Sequence, residues 1–346
     1  MGAGTGASNN LIRSLRAGDP SLVIVGCNAD RFVLKKSPAE ENRLIPSSAD
    51  PAFAEALRRV VETEAIDLLI PNSDPDVRAV SDLPGDLPCC LFLPARRVID
   101  LCQDKYDLTI YLRAHGVPAP RTHAVTDLER IEELFLQLGP RRRFWCRIRS
   151  GSGSMGAIPV KRPDQARSWI SYWQEMRGVP ATSFTISEYL PGRDFSLQCL
   201  WKAGGLVLAK MSERLSYFGG ANSASGVSST PALGKTVFEP RVVEVCTAAI
   251  RAVDPEASGV FCFDVKEDED GVPCVTEINA GRFAMITNIY DLTGKHNMAA
   301  TYVRLALGLP LEIGDVHDFA EDCYLVRDLD TLPAVFHAEE LFEGMR

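Results

Sequence analysis

Apolar positions fall into alternating short runs and helical stripes along the first hundred residues. Leu11, Ile12 and Leu15 share a helix face behind the glycine-rich opening Gly2 to Gly6, with Ser8 and Asn9 placed to cap it. Leu22 to Val25 is a buried-strand run closed by Gly26. Phe53, Ala56, Leu57, Val60 and Val61 recur at helical spacing, and Ile66 to Ile70 is a second strand run closed by Pro71. Strands alternating with helices predict a parallel sheet with helical crossovers over residues 1–95.

The pattern changes after Pro94. Arg96 to His115 is predicted as one helix, ended by Gly116 and the Pro118/Pro120 pair. Phe144 to Val160 predicts a strand, a glycine loop and a strand. Strands are expected at Ser183–Leu190 and from Phe195 to Val207, helices at Val242–Val253 and Asn297–Leu307, and a hairpin at Gly259–Asn279. The polar stretch Gly219 to Ser229 has no periodicity. An α+β architecture is expected over 96–313, distinct from the first unit, with 314–346 as a C-terminal extension.

The loop Gly151-Ser-Gly153-Ser-Met-Gly156 matches G-x-G-x-x-G. A dinucleotide site would need a helix after it, and here Ala-Ile-Pro-Val160 is extended. Two readings stay open: a flexible hairpin turn, or a loop whose N–H groups cover nucleotide phosphates, with Arg147 and Arg149 supplying charge.

In the hairpin, Asp270-Gly271 is the turn signal. A four-residue loop, 269–272, sets Asp264 opposite Glu277, Lys266 opposite Val275 and Cys262 opposite Asn279. Facing carboxylates with Cβ atoms about 4.5–5.5 Å apart repel. A divalent cation removes that repulsion, so Asp264, Glu277 and the Asn279 amide oxygen form a candidate Mg2+ site. An EF-hand reading would begin at Lys266, a poor first ligand. A solvated acidic hairpin suits Glu267 to Asp270 but not Glu277 within Cys-Val-Thr-Glu-Ile-Asn.

Composition narrows the chemistry. The 346 residues carry 46 acidic and 37 basic side chains, a net charge of −9, which argues against a nucleic-acid binder or a polybasic membrane anchor. Arg141 to Arg143 reads as a solvated surface turn. The ten cysteines are scattered with no C-x-x-C pair and only five histidines, so neither a disulfide scaffold nor a zinc site is expected. With no long apolar run and no signal-like start, a cytoplasmic chain without a membrane partner is expected.

Together these residues resemble the ATP-grasp superfamily, especially single-module carboxylate–amine ligases similar to the carbamoyl-phosphate synthase large chain. The likeness runs in order through Asp104-Lys105, Gly116-Val-Pro-Ala-Pro120, the Phe144 strand with its glycine loop, Ser187-Glu-Tyr-Leu-Pro-Gly-Arg-Asp194 and Glu277-Ile-Asn279. It implies an N-terminal Rossmann-like pre-ATP-grasp domain (1–95) and an ATP-grasp domain (96–313) of two α+β subdomains. The small, nucleotide-covering one spans about 120–187 and the larger, metal-binding one about 188–313.

The resemblance also implies roles. ATP phosphates would meet Lys105, Arg147 and the loop residues Ser152, Gly153 and Ser154. The backbone of Glu188, Tyr189 and Leu190 would read adenine, and Asp194 the ribose. Asp264, Glu277 and Asn279 would hold Mg2+, commonly two ions, with Mn2+ able to substitute. Arg282, with Arg214 or Lys210 as further candidates, would face the acyl phosphate or substrate carboxylate; Lys105 and Arg282 would be catalytic. The expected reaction joins a small-molecule carboxylate to an amine through an acyl phosphate, the glycine loop and Gly219–Ser229 closing over it. The alternative is a catalytically inactive or regulatory nucleotide-binding protein. A homodimer is the base-rate expectation.

Three departures stand out. Arg147 replaces the usual lysine, Ala280-Gly281 displaces Arg282 by one residue from the E-x-N-P-R pattern, and no strand precedes the N-terminal glycines. One module without a glutaminase argues against carbamoyl-phosphate synthesis itself.

Overall fold

Parallel pairing of β1 (Val25–Asn28) with β2 (Glu41–Leu44) forms the first sheet in the computed structural model, which describes residues 1–83, 85, 87–151, 153–228, 230–327, 334–337 and 339. The strand expected at Leu22 begins only at Val25: Val23 is 78% exposed, and the first bond to β2 is the one the Ile24 carbonyl accepts from the Glu41 N–H at 3.4 Å. Ile66–Ile70 contributes a single parallel bridge, Leu68 to Cys90, rather than a full strand. The helix Phe53–Thr63 buries Phe53, Leu57 and Val61, the first two against Cys27, Ile45 and Leu69. The first helix, Gly6–Gly18, is capped by Thr5, whose hydroxyl accepts from the Ser8 N–H; Ser8 and Asn9 lie inside it. Leu11 and Leu15 turn away from β1 and pack with Met298 and Tyr302 of the helix Met298–Ala306.

The second sheet has order β3-β6-β4-β5, all neighbours antiparallel: β3 (Thr122–Ala124), β4 (Phe144–Ile148), β5 (Ile158–Val160) and β6 (Phe184–Glu188). Alternation along β4 sends Phe144, Cys146 and Ile148 into a core with the helices Ile131–Leu138 and Pro163–Arg177. Trp145 and Arg147 consequently point the other way.

The third sheet runs β11-β10-β7-β8-β9-β12-β13: β7 (Asp194–Lys202), β8 (Gly205–Tyr217), β9 (Pro231–Thr236), β10 (Gly259–Glu267), β11 (Pro273–Ala280), β12 (Cys323–Val326) and β13 (Ala334–His337). Residues beyond 313 thus add strands to this sheet. One face carries Phe195, Leu197, Met211, Phe261, Phe263 and Ile278 into a core with the helix Pro240–Val253. The same period of two leaves Asp194, Ser196, Arg214, Cys262, Asp264, Lys266, Glu277 and Asn279 on the opposite, polar face.

The helix expected over Arg96–His115 is two, Arg96–Gln103 and Lys105–Ala114. Asp104 breaks it by turning extended and accepting the N–H groups of Tyr106 and Asp107. Among the described residues, eight cysteines are buried and all ten are free thiols, and no helix is long and apolar enough to cross a membrane.

Candidate active site

The polar face of the seven-stranded sheet, the Trp145/Arg147 face of the four-stranded sheet and residues 72–75 of the N-terminal unit enclose a cavity of about 460 Å3. Its lining includes Arg147, Gly153, Ser154, Glu188, Tyr189, Leu190, Asp194, Asp264, Glu277, Asn279 and Arg282, so distant stretches of chain converge there. Ser152 lies outside the described residues.

The hairpin sets Asp264 opposite Glu277 and Cys262 opposite Asn279. Nearer the turn the expected register is wrong: Lys266 pairs with Cys274, not Val275, and the loop has five residues, 268–272. A bulge at Thr276 absorbs the difference. Its hydroxyl donates to the Asp264 carbonyl at 3.0 Å, while its own carbonyl accepts from Arg147 Nη2 at 3.0 Å. The bulge therefore ties the two sheets together at the carboxylate pair.

Cations surround that pair. Lys105, made the first residue of its helix by the break at Asp104, is buried with Nζ 3.6 Å from Glu277 Oε1, and it donates to the Gly151 carbonyl. Arg147 is half-buried. Burial pulls its pKa below the usual arginine value, with Glu277 and Asp264 opposing, and its Nε has no hydrogen-bond partner among the described residues. An orphaned guanidinium N–H beside the cavity is the kind of donor a phosphate oxygen satisfies. Arg214 donates to Asp264 and, at 3.3 Å, to Asp194. Arg282 bridges Asn279 Oδ1 and Asp74.

The donor chemistry fits Mg2+. Two carboxylates and an amide oxygen share one face, and Mg2+ typically takes one or two carboxylates beside phosphate and water. Among the described residues no group of three or more His, Cys, Asp and Glu gathers into an all-protein metal cage.

The glycine loop joins two strands, β4 and β5. Gly151, Gly153, Ser154 and Gly156 all take positive φ, and Arg149 anchors its base to Asp104 at 2.7 Å and Asp107 at 2.8 Å. At the far end, Glu188 accepts from the Arg121 N–H at 2.7 Å and from Arg141 at 2.8 Å. Arg141 is thus no solvated surface arginine: its side chain is 19% exposed and holds the segment that lines the cavity.

No protein-family model matches the sequence. Solved structures do resemble the chain. An L-amino acid ligase from Bacillus licheniformis superposes with a TM-score of 0.67 at 16% identity, covering 92% of this chain and 76% of that one. N5-carboxyaminoimidazole ribonucleotide synthetase from Thermus thermophilus gives 0.66 at 17%, covering 93% and 81%. The biotin carboxylase domain of Hydrogenobacter thermophilus 2-oxoglutarate carboxylase, solved with MgADP, ADP and bicarbonate, gives 0.69 at 14%, covering 92% and 71%. The chain has the ATP-grasp fold.

Within this ATP-grasp fold, Lys210 is removed from the cavity. It is fully buried, 3.2 Å from Asp291 and 3.8 Å from Asp318, an internal ion cluster rather than a substrate contact. Three lining residues escaped the sequence reading. Lys266 stands across from Asp194 at 3.3 Å, the Tyr217 hydroxyl donates to the same carboxylate at 2.5 Å, and Asp74 enters from the N-terminal unit. Lys266 had a signal, since it lies two positions from Asp264 on one strand face. Asp74 and Tyr217 had none, because only tertiary folding brings them near the hairpin.

Proposed function

We propose that the chain is an ATP-dependent ligase that activates a small carboxylate as its acyl phosphate and joins it to an amine. The observation that carries this reading is the facing pair Asp264 and Glu277, in one cavity with Arg147, Arg214 and Arg282 and with Lys105 behind Glu277 at 3.6 Å. Phosphoryl transfer needs positioning and fixed positive charge more than it needs a protein nucleophile.

In this reading Glu188, Tyr189 and Leu190 hold the base, Asp194 the ribose, and Arg147, Lys105 and the glycine loop the phosphates. Asp264, Glu277 and Asn279 hold Mg2+ (or Mn2+), which would neutralise charge on the phosphate oxygens. Binding the metal requires Arg214 and Arg282 to yield Asp264 and Asn279, freeing both guanidinium groups for anionic ligands. A substrate carboxylate oxygen attacks the γ-phosphorus, the bond to the bridging oxygen breaks, and ADP leaves. The amine lone pair then attacks the acyl carbon, the bond from that carbon to the phosphate oxygen breaks, and inorganic phosphate departs with the proton the amine gives up. Lys105 and Arg147 supply charge where it develops, and the glycine loop with residues 219–228 would keep water from the labile acyl phosphate.

The test is ATP-dependent phosphate release with Mg2+ over pooled amino acids and small carboxylates, wild type beside Glu277→Gln. Release confined to certain pools, with ADP as product and at least about 100-fold weaker in the variant, is the expected result. ATP binding with no release in any pool would favour a nucleotide-binding protein without ligase activity.

A further inference from the structure

Among the described residues five carboxylates line the cavity, and the reading above uses four of them: Glu188, Asp194, Asp264 and Glu277. The fifth, Asp74, has no part in holding nucleotide or metal. It is the first residue of the helix Asp74–Ser81, and it reaches Arg282, which also contacts Asn279. Neither side chain is sealed off: Asp74 is 27% and Arg282 18% exposed, and both border the cavity.

The sheet register gives their place along the site. From Lys266 through Asp264 to Cys262, β10 advances about 7 Å for each pair of residues. Lys266 lies level with Asp194, Asp264 with Glu277, and Cys262 with Asn279. The Asn279 level, where Arg282 and Asp74 meet, is therefore beyond the carboxylate pair as seen from Asp194. That is where a carboxylate about to receive the γ-phosphoryl group must sit. A cation and an anion side by side there match a ligand that carries both charges on one carbon. The cavity also carries the apolar side chains of Ala7, Val227, Met285 and Ile286 among uncharged polar ones such as Thr5, Ser73 and Ser225.

We propose that the activated carboxylate belongs to an α-amino acid with an uncharged, largely apolar side chain, its carboxylate taken by Arg282 and its ammonium by Asp74. The proposal rests on the ligase reading for its orientation, but it makes a separate claim about binding. An acid without the amine leaves Asp74 facing the ligand unpaired, and such a mismatch discriminates more strongly than a missing methylene does.

Leucine is compared with isocaproate, which is leucine without its amine. Calorimetric binding is measured in the presence of Mg2+ and a non-hydrolysable ATP analogue, and ADP formation is measured with ATP. Leucine is expected to bind about 10- to 100-fold more tightly than isocaproate, the range of one charge-assisted hydrogen bond. Asp74→Asn should erase that preference by raising KM for leucine while kcat changes little, and Asp74→Glu should keep part of it. Equal binding of the two acids, or binding of neither, overturns the proposal. So does an equal fall in kcat/KM for both acids in Asp74→Asn, which would make Asp74 a positioning residue for Arg282. Leucine-selective binding without ADP formation would instead sink the ligase reading and leave this one standing. Turnover of both acids alike would do the reverse.

Discussion

Arg214 reaches across β7 to Asp264 while its second amino group donates to Asp194 at 3.3 Å, so one guanidinium neutralises carboxylates on two neighbouring strands. Burial works against the charge on Arg214, but Asp264 and Asp194 outweigh it and hold the group protonated well above the ordinary arginine range. Arg214 and Asp194 are each 13% exposed, too little for solvent to screen their pairing fully. Arg214→Met should lower the unfolding free energy by about 3 kcal/mol, the loss typical of breaking a buried ion pair. Urea unfolding checks it. Millimolar Mg2+ should restore more stability to the variant than it adds to wild type, since Asp264 is then free to bind the ion.

Asp104 connects helix geometry to the site. Its carboxylate caps the helix Lys105–Ala114 through the N–H groups of Tyr106 and Asp107, and also accepts from Arg149 at 2.7 Å. Asp104→Ala should destabilise the protein by about 1–2 kcal/mol through the lost cap. It should also raise KM for ATP, because Lys105 and the base of the glycine loop lose a common anchor. Steady-state kinetics beside a denaturation curve separate the two effects.

Much of the fold was legible because its signals are local. Period-two runs and glycine turns marked most strands of the two antiparallel sheets, and helical spacing marked Phe53–Thr63 and Pro240–Val253. The opposition of Asp264 and Glu277 was read from a hairpin assumed to be regular. The actual one reaches the same pairing with a longer loop and a compensating bulge at Thr276, so two one-residue shifts cancel at the pair. The break at Asp104 carried a readable cap signal that the apolar stripe on either side obscured. Arg141, Lys210 and Asp74 were beyond local reading. Their partners, Glu188, Asp291 and Arg282, are far away in sequence, and nothing nearby says which charges will be buried together.

Acid should loosen the seat of the helix Pro240–Val253 against the seven-stranded sheet. Arg193, just after the Pro191-Gly192 turn, contacts Glu213 at 2.8 Å and Glu239 at 3.2 Å, and Arg241 donates to Glu239 at 3.0 Å. The hydrogen bond from Arg241 is the main cause holding the Glu239 carboxyl below its ordinary 4.5. A depressed folded pKa means the contribution is present above that ordinary value and is lost as pH falls through the lower folded one. Between pH 7 and about pH 3.5, wild type should therefore lose more stability than Glu239→Gln. Parallel urea midpoints at the two pH values test this, and parallel curves for the two proteins would refute it.

Two glycines of one loop should respond differently to the same substitution. Gly153 and Gly156 both have positive φ, at 72° and 68°, so alanine at either position carries backbone strain of about 1 kcal/mol. Around Gly153 a Cβ meets nothing within 4 Å. At Gly156 it would stand 2.6 Å from both Cγ1 and Cδ1 of Ile148. Ile148 ends β4 and adjoins Arg147, while the Gly156 carbonyl accepts from Trp169 Nε1 at 2.9 Å. Relief of that overlap must repack the buried Ile148 side chain, and with it disturb the strand that carries Arg147 or the helix that carries Trp169. Gly153→Ala should therefore cost little stability and change KM for ATP modestly. Gly156→Ala should lower Tm by several degrees more and raise KM for ATP further than it lowers kcat, because the Arg147 guanidinium, to which the proposed function gives the phosphates, is displaced rather than removed. Equal Tm and KM in the two variants would show that the loop moves independently of β4, and would leave the glycine at 156 without the packing role assigned to it.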